Sequence, residues 1–201
     1  MKTDEQVFAS ALKLYEDGNY WSCVNDFLKL SSNGDAKSSF YAANIFLKGG
    51  SGVPVDQTKA RQLYSLALEH GSLPGAALSL ALMEYKGWGG PINYADSMRH
   101  YSLVKGNPFA KIMIGEMLQR GLGCGKDEAA ALRCYDGAWS LGHPLGLRQA
   151  AYIRMRRGNL VRGLIDYLKG ATLMVWFYGI RRISVLKSPY EVMPMGWKRL
   201  N

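Results

Sequence analysis

The chain has 201 residues, 48% hydrophobic and 20% charged, proportions that exclude a disordered polymer and suffice for one domain with a real core or an elongated repeat array. Its three cysteines, Cys23, Cys124 and Cys134, are odd in number and show no CxxC spacing, which argues against a disulfide framework and suits a reducing compartment. The net charge is +9, but basic and acidic residues balance at 14 each over residues 1–144 and stand at 11 to 2 over residues 145–201, so the whole basic excess is C-terminal.

The start, "MKTDEQVFAS", has two acidic residues where a secretory signal needs an apolar core, so the expectation is a cytoplasmic protein, or a periplasmic one if a leader has been trimmed. Residues 5–34 read as a helix pair with only "DGN" between the helices. The stretch "GSGVPVD" from Gly50 then looks like a phosphate loop opening a helix. Such a loop needs a strand before it and a single copy, because its amides must converge on one anion. Here the loop recurs as "GWGGPIN" from Gly87 and "GLGCGKD" from Gly121, separated by 37 and 34 residues. The loops are therefore connectors in a repeat.

Six positions after each first glycine stands Asp56, Asn93 or Asp127, whose side-chain oxygen can cap the next helix. Ten positions after it comes a small residue (Ala60, Ser97, Ala131) and fourteen after it a tyrosine (Tyr64, Tyr101, Tyr135), two positions on one helix face. The tyrosines, with Tyr167 in the corresponding place of a fifth unit, are expected to fill space between helices while each hydroxyl reaches a polar neighbour. Each helix is predicted to stop at Gly71, Gly106 and Gly142 in a left-handed conformation. Pro74, Pro108 and Pro144 then open the next helices, on which Ala77, Ala81 and Gly115 allow close approach. The predicted units are residues 4–34, 35–71, 72–106, 107–142 and 143–169. The apolar run "GATLMVWFYGI" begins a C-terminal extension, 170–201.

This pattern resembles the Sel-one-like repeat family, relatives of the tetratricopeptide repeats. The resemblance rests on "LALMEYKG" and "IGEMLQRG", the loops "GSGVPVD" and "GLGCGKD", and "KARQLYSLALEHG" and "AALRCYDGAWSLG", over roughly residues 36–142. It implies an all-α right-handed solenoid of about five antiparallel helix pairs, with the extension capping the last one. It also implies a protein-binding adaptor or scaffold, or an immunity protein that neutralises a secreted antibacterial effector.

His70, His100 and His143 have no second ligand at metal spacing, and no HExxH or GxSxG occurs, so neither a catalytic residue, a metal nor a cofactor is expected. Residues on the exposed side of the first helices are the expected readers of a partner: Tyr41, Lys48, Leu82, Glu84, Glu116, Arg120, Tyr152 and Arg156, joined by Arg157. The run from 170 is too short to span a bilayer, which takes about 20 residues. Trp176, Phe177, Arg181 and Arg182 could instead dock a protein, preferably acidic, or an anionic membrane surface. The arginines at 148, 154, 156, 157 and 162 could meet phosphates, but the charge-neutral remainder disfavours nucleic acid.

Overall fold

The computed structural model describes residues 3–71 and 73–179, with side chains as far as Val175. The described residues form ten helices: α1 (Asp4–Glu16), α2 (Tyr20–Ser32), α3 (Ala36–Lys48), α4 (Gln57–His70), α5 (Pro74–Lys86), α6 (Tyr94–Ser102), α7 (Pro108–Arg120), α8 (Glu128–Ser140), α9 (Pro144–Arg156) and α10 (Leu160–Gly179). The fold is an all-α solenoid of helix pairs. Its residues cluster into two compact units, Met1–Val104 and Lys105–Asn201. The division falls after α6, which at nine residues is the shortest helix. The boundary expected at residue 170 falls inside α10, whose helical run continues through it to Gly179.

Local chemistry sets the repeat. Asp56 accepts from the Lys59 amide, Asn93 from Asp96, and Asp127 from both Ala129 and Ala130, so orphan amides at three helix starts are satisfied by their own loops. The cap residue's own amide reaches back to the preceding helix, from Asp56 to Phe46, Asn93 to Glu84 and Asp127 to Leu118, at 2.8, 3.0 and 2.9 Å. Each glycine loop is thus clamped at both ends. Prolines 74, 108 and 144 occupy first turns, where the missing amide proton breaks no helix bond.

The left-handed glycines are mostly at the other end of the unit. Gly87 and Gly121, with φ of 73° and 72°, terminate α5 and α7 and turn the chain into the loop. Of the three stops predicted to be left-handed, Gly142 is (φ 85°), whereas Gly71 is extended with φ −169° and α6 ends at Ser102, before Gly106. The first loop is also one residue longer than its counterparts. Its helix is capped by Gly49, and a Gly50–Val53 bridge absorbs the addition.

Packing follows the predicted positions. Ala60, Ser97 and Ala131 are fully buried, as are Tyr64, Tyr101 and Tyr135 to within 1%. The Tyr64 hydroxyl donates to Asn44 at 2.7 Å and that of Tyr135 to Gln119 at 2.8 Å, tying each second helix to the first helix of its own pair. In the first unit the core gathers Phe27, Ile45, Tyr64 and Met83. In the second it gathers Ile112, Tyr135, Ala138 and Ile153. The phenylalanine, isoleucines and methionine among them each contribute about 1.5–3 kcal/mol on burial. Gly115 lets the Tyr135 ring approach α7 closely, since a β-carbon there would stand 2.7 Å from a ring carbon. Tyr167 departs from the pattern and is 40% exposed, although it stands one turn after Gly163, which packs closely on α9.

Candidate protein-binding surface

In the first unit, packing claims most of the predicted readers. Tyr41 of α3 stacks on Phe27 with ring centres 5.5 Å apart and meets Tyr15 edge-on at 5.0 Å. Burial, with the Glu16 carboxylate adding to it, raises its phenol pKa, so the ring is a neutral wedge between α1, α2 and α3. Leu82 is 8% exposed and Glu84 5%, too little for either to read a partner. Glu84 faces inward because His100 of α6 is there, its Nδ1 2.7 Å from Oε2, with the Arg61 guanidinium 3.9 Å from the other oxygen. Arg61 in turn donates to the Pro91 carbonyl at 3.1 Å. This cluster ties α4, α5 and the second glycine loop together. Of the four first-unit candidates, Lys48 is the exposed one.

Sequence reasoning missed this cluster, although a signal for it exists. Ser97 donates to the Ala81 carbonyl, His100 meets Glu84 and Tyr135 meets Gln119, all at a separation of sixteen residues. A polar pair at that offset is a cross-helix contact within one unit. The same unit also has a cleft of about 420 Å³ among α4, α5 and α6, lined by Leu68, Ala77 and Leu80 together with Glu69, Arg99 and His100. It lies beside the C-terminal end of α6.

In the second unit the predicted readers are half-exposed or exposed. Tyr152 of α9 is 48% exposed, and the Arg156 guanidinium lies 6.0 Å from its ring centre. Arg156 also reaches Glu128 of α8 at 3.2 Å. On α7, Arg120 bonds Glu116 at 2.8 Å one turn away. Arg157, which ends α9, is exposed. Both α7 and α9 pack against α8 and touch each other, so Glu116, Arg120, Tyr152 and Arg156 belong to adjacent first helices.

The five arginines 148–162 do not form one phosphate-facing patch. Arg154 bridges Asp136 and Asp166, and Arg156 is held by Glu128. Trp176 and Phe177 fall in the last turn of α10 with side chains outside the described residues, and Arg181 and Arg182 lie outside them altogether. No helix among the described residues is long and apolar enough to cross a membrane.

The family model for the Sel1 repeat matches residues 36–72, 74–103 and 108–143, just over half of the chain. The chain belongs to the Sel1-repeat family. Solved structures agree on the fold. A protective antigen of uropathogenic Escherichia coli displaying an SLR fold superposes with a TM-score of 0.74 at 18% identity, covering 93% of this chain and 43% of its own. A Sel1 repeat protein from Oxalobacter formigenes superposes at 0.68 with 23% identity, covering 82% of this chain and 69% of its own. The chain thus spans less than half the length of the first of these. No curated protein sequence matches it. Sel1 repeats are in general protein-interaction modules and non-catalytic scaffolds, which makes exposed side chains on the helix pairs the natural place to look for recognition.

Proposed function

We propose that this Sel1-repeat chain is a non-catalytic adaptor or regulator that holds one specific protein partner on the exposed face of α7 and α9. The observation that carries the reading is the Tyr152–Arg156 pair. An aromatic ring and a guanidinium, both about half exposed and set beside Glu128, have the composition of interface hot spots. The neighbouring Glu116–Arg120 pair supplies charges at the rim, where they favour register over affinity.

Affinity capture with quantitative mass spectrometry, comparing the wild-type chain with Tyr152→Ala/Arg156→Glu and with Lys48→Glu, tests it. The reading expects one protein enriched by wild type and Lys48→Glu and lost from the double variant. Equal enrichment by all three would remove the α7–α9 face from consideration. An immunity role is the special case in which that partner is a secreted effector. It requires that deleting the gene sensitise cells to attack by sister cells, and unchanged survival would end it.

A further inference from the structure

Helix α10 is turned inside out relative to an ordinary amphipathic helix. Close contacts to α9 are made by Gly163, Asp166 and Gly170. A β-carbon on Gly163 would collide with Met155, and one on Gly170 would stand 3.1 Å from the Arg148 amide nitrogen. Asp166 accepts from Arg154 of α9 at 3.2 Å. Over its first three turns α10 therefore meets α9 through close backbone approach and an ion pair, Leu173 and Met174 are half-buried further along, and the other large aliphatic side chains point away. Val161 is 75% exposed, Leu164 53%, Ile165 60%, Leu168 55% and Val175 74%. Their spacing of three, four and seven residues puts them on one stripe. Single exposed leucines are ordinary, but a continuous stripe of this kind marks an interaction surface.

The packing of the other pairs shows what kind of element fits there. Within the two units, α2 is covered by α3, α4 by α5 and α8 by α9, so the outer side of each of these second helices receives a helix. Among the described residues α10 receives none. The covering helices α3, α5 and α9 each run 13 residues with no proline beyond the first turn. Residues 180–201 carry five basic residues against the single acid Glu191, the wrong balance to complement cations on α10.

Charge narrows the occupant further. Arg162, with a side chain 71% exposed, and Lys169, also exposed, border the stripe. The acidic residue of α10, Asp166, is engaged by Arg154 at 3.2 Å and lies 4.0 Å from Arg162, whose side chain stays largely exposed, while the Lys169 ammonium stands 5.5 Å from the Trp139 ring centre. A second copy of this chain would bring the same cations face to face.

We propose that the outer face of α10 docks an amphipathic helix of a partner protein, one with acidic residues flanking its apolar stripe, seated where a following first helix would lie. This surface is separate from the α7–α9 face and stands or falls independently of it.

Fluorescence anisotropy of a labelled synthetic helix, leucines on one face and glutamates beside them, provides the test with the full chain. A version with lysines in place of the glutamates serves as control. Leu164→Ser/Leu168→Ser and Arg162→Glu/Lys169→Glu alter solvent-exposed positions, and circular dichroism and melting curves establish that they fold. The acidic helix is expected to bind at least roughly tenfold tighter than its lysine version, and to weaken roughly tenfold with either variant. A photo-crosslinking amino acid in place of Leu168 is expected to capture it.

Several results would overturn the proposal. The first is equal binding of both helices or indifference to the Leu164/Leu168 change. The second is a concentration-dependent dimer that those changes dissolve. The third is a crosslink from position 168 to residues 180–201 of the same chain in the helix's presence. The last is binding to phosphatidylglycerol vesicles with none to the helix.

Discussion

First helices do opposite work in the two units, most directly at the ninth position after the N-cap, where Leu82 of α5 is 8% exposed and Tyr152 of α9 48%. On α3 and α5, Tyr41, Leu82 and Glu84 are taken into the core, whereas on α9 Tyr152 and Arg156 remain about half exposed. The difference lies in the neighbours. Phe8, Tyr15 and Phe27 close over Tyr41, and His100 and Arg61 converge on Glu84. Tyr152 meets its own helix's Arg156. A repeat position is thus only a place on a helix, and the side chains packed against it decide whether it contributes stability or recognition.

The comparison breaks most directly at Glu84. Glu84→Ala removes the carboxylate that His100 meets at 2.7 Å and Arg61 at 3.9 Å, and losing a buried hydrogen bond to a charged group costs about 1.5–3 kcal/mol. Urea unfolding should show that loss, and a change under about 1 kcal/mol would mean the cluster is not holding the first unit together. In the second unit the largest structural effect should come from Gly115→Ala. With the Tyr135 ring 2.7 Å from the added carbon, overpacking should cost about 1–3 kcal/mol by the same measurement. Removing the hydroxyl in Tyr135→Phe leaves the packing and loses the 2.8 Å bond to Gln119, a change of about 1 kcal/mol.

Acid sharpens the contrast. His143 caps α9 by accepting from the Leu145 amide through Nδ1, which requires that nitrogen to be unprotonated. Burial lowers its pKa from 6.5 in the folded chain. The unfolded chain therefore takes up the proton first, and the contribution is present above 6.5 and declines as pH falls through the folded value. Asp127 is lowered from 3.8, chiefly by the Ala130 amide, and its contribution is lost in the same direction at still lower pH. Unfolding followed from pH 7.5 to 5 should show a decline that His143→Asn flattens; an unchanged slope would contradict the assignment. The smallest effect on stability belongs to Arg156→Ala, under about 1 kcal/mol for a half-exposed ion pair, although partner binding should fall sharply.

What could be read from the chain alone was what neighbouring residues determine. Asp56, Asn93 and Asp127 cap helices whose amides lie two or three residues away, and Tyr64 and Tyr135 follow from the loop spacing. The burial of Tyr41 and Glu84 was not legible, because it depends on rings and a histidine from other helices. The conformation of Gly71 was misread for a related reason. Its lack of a side chain answers to Ala36, whose β-carbon would lie 2.9 Å from an added one, and its backbone is extended. The outward stripe of α10 was hidden too, since an apolar helix pattern does not say which face a neighbour prefers until Gly163 and Asp166 are seen against α9.

Hydrogen exchange read by mass spectrometry, with the chain alone and saturated with its captured partner, tests the central claim most directly. The account predicts new protection in α7 and α9 of the second unit, with α3 and α5 unchanged. Protection confined to residues 3–104 would contradict it and return recognition to the first unit.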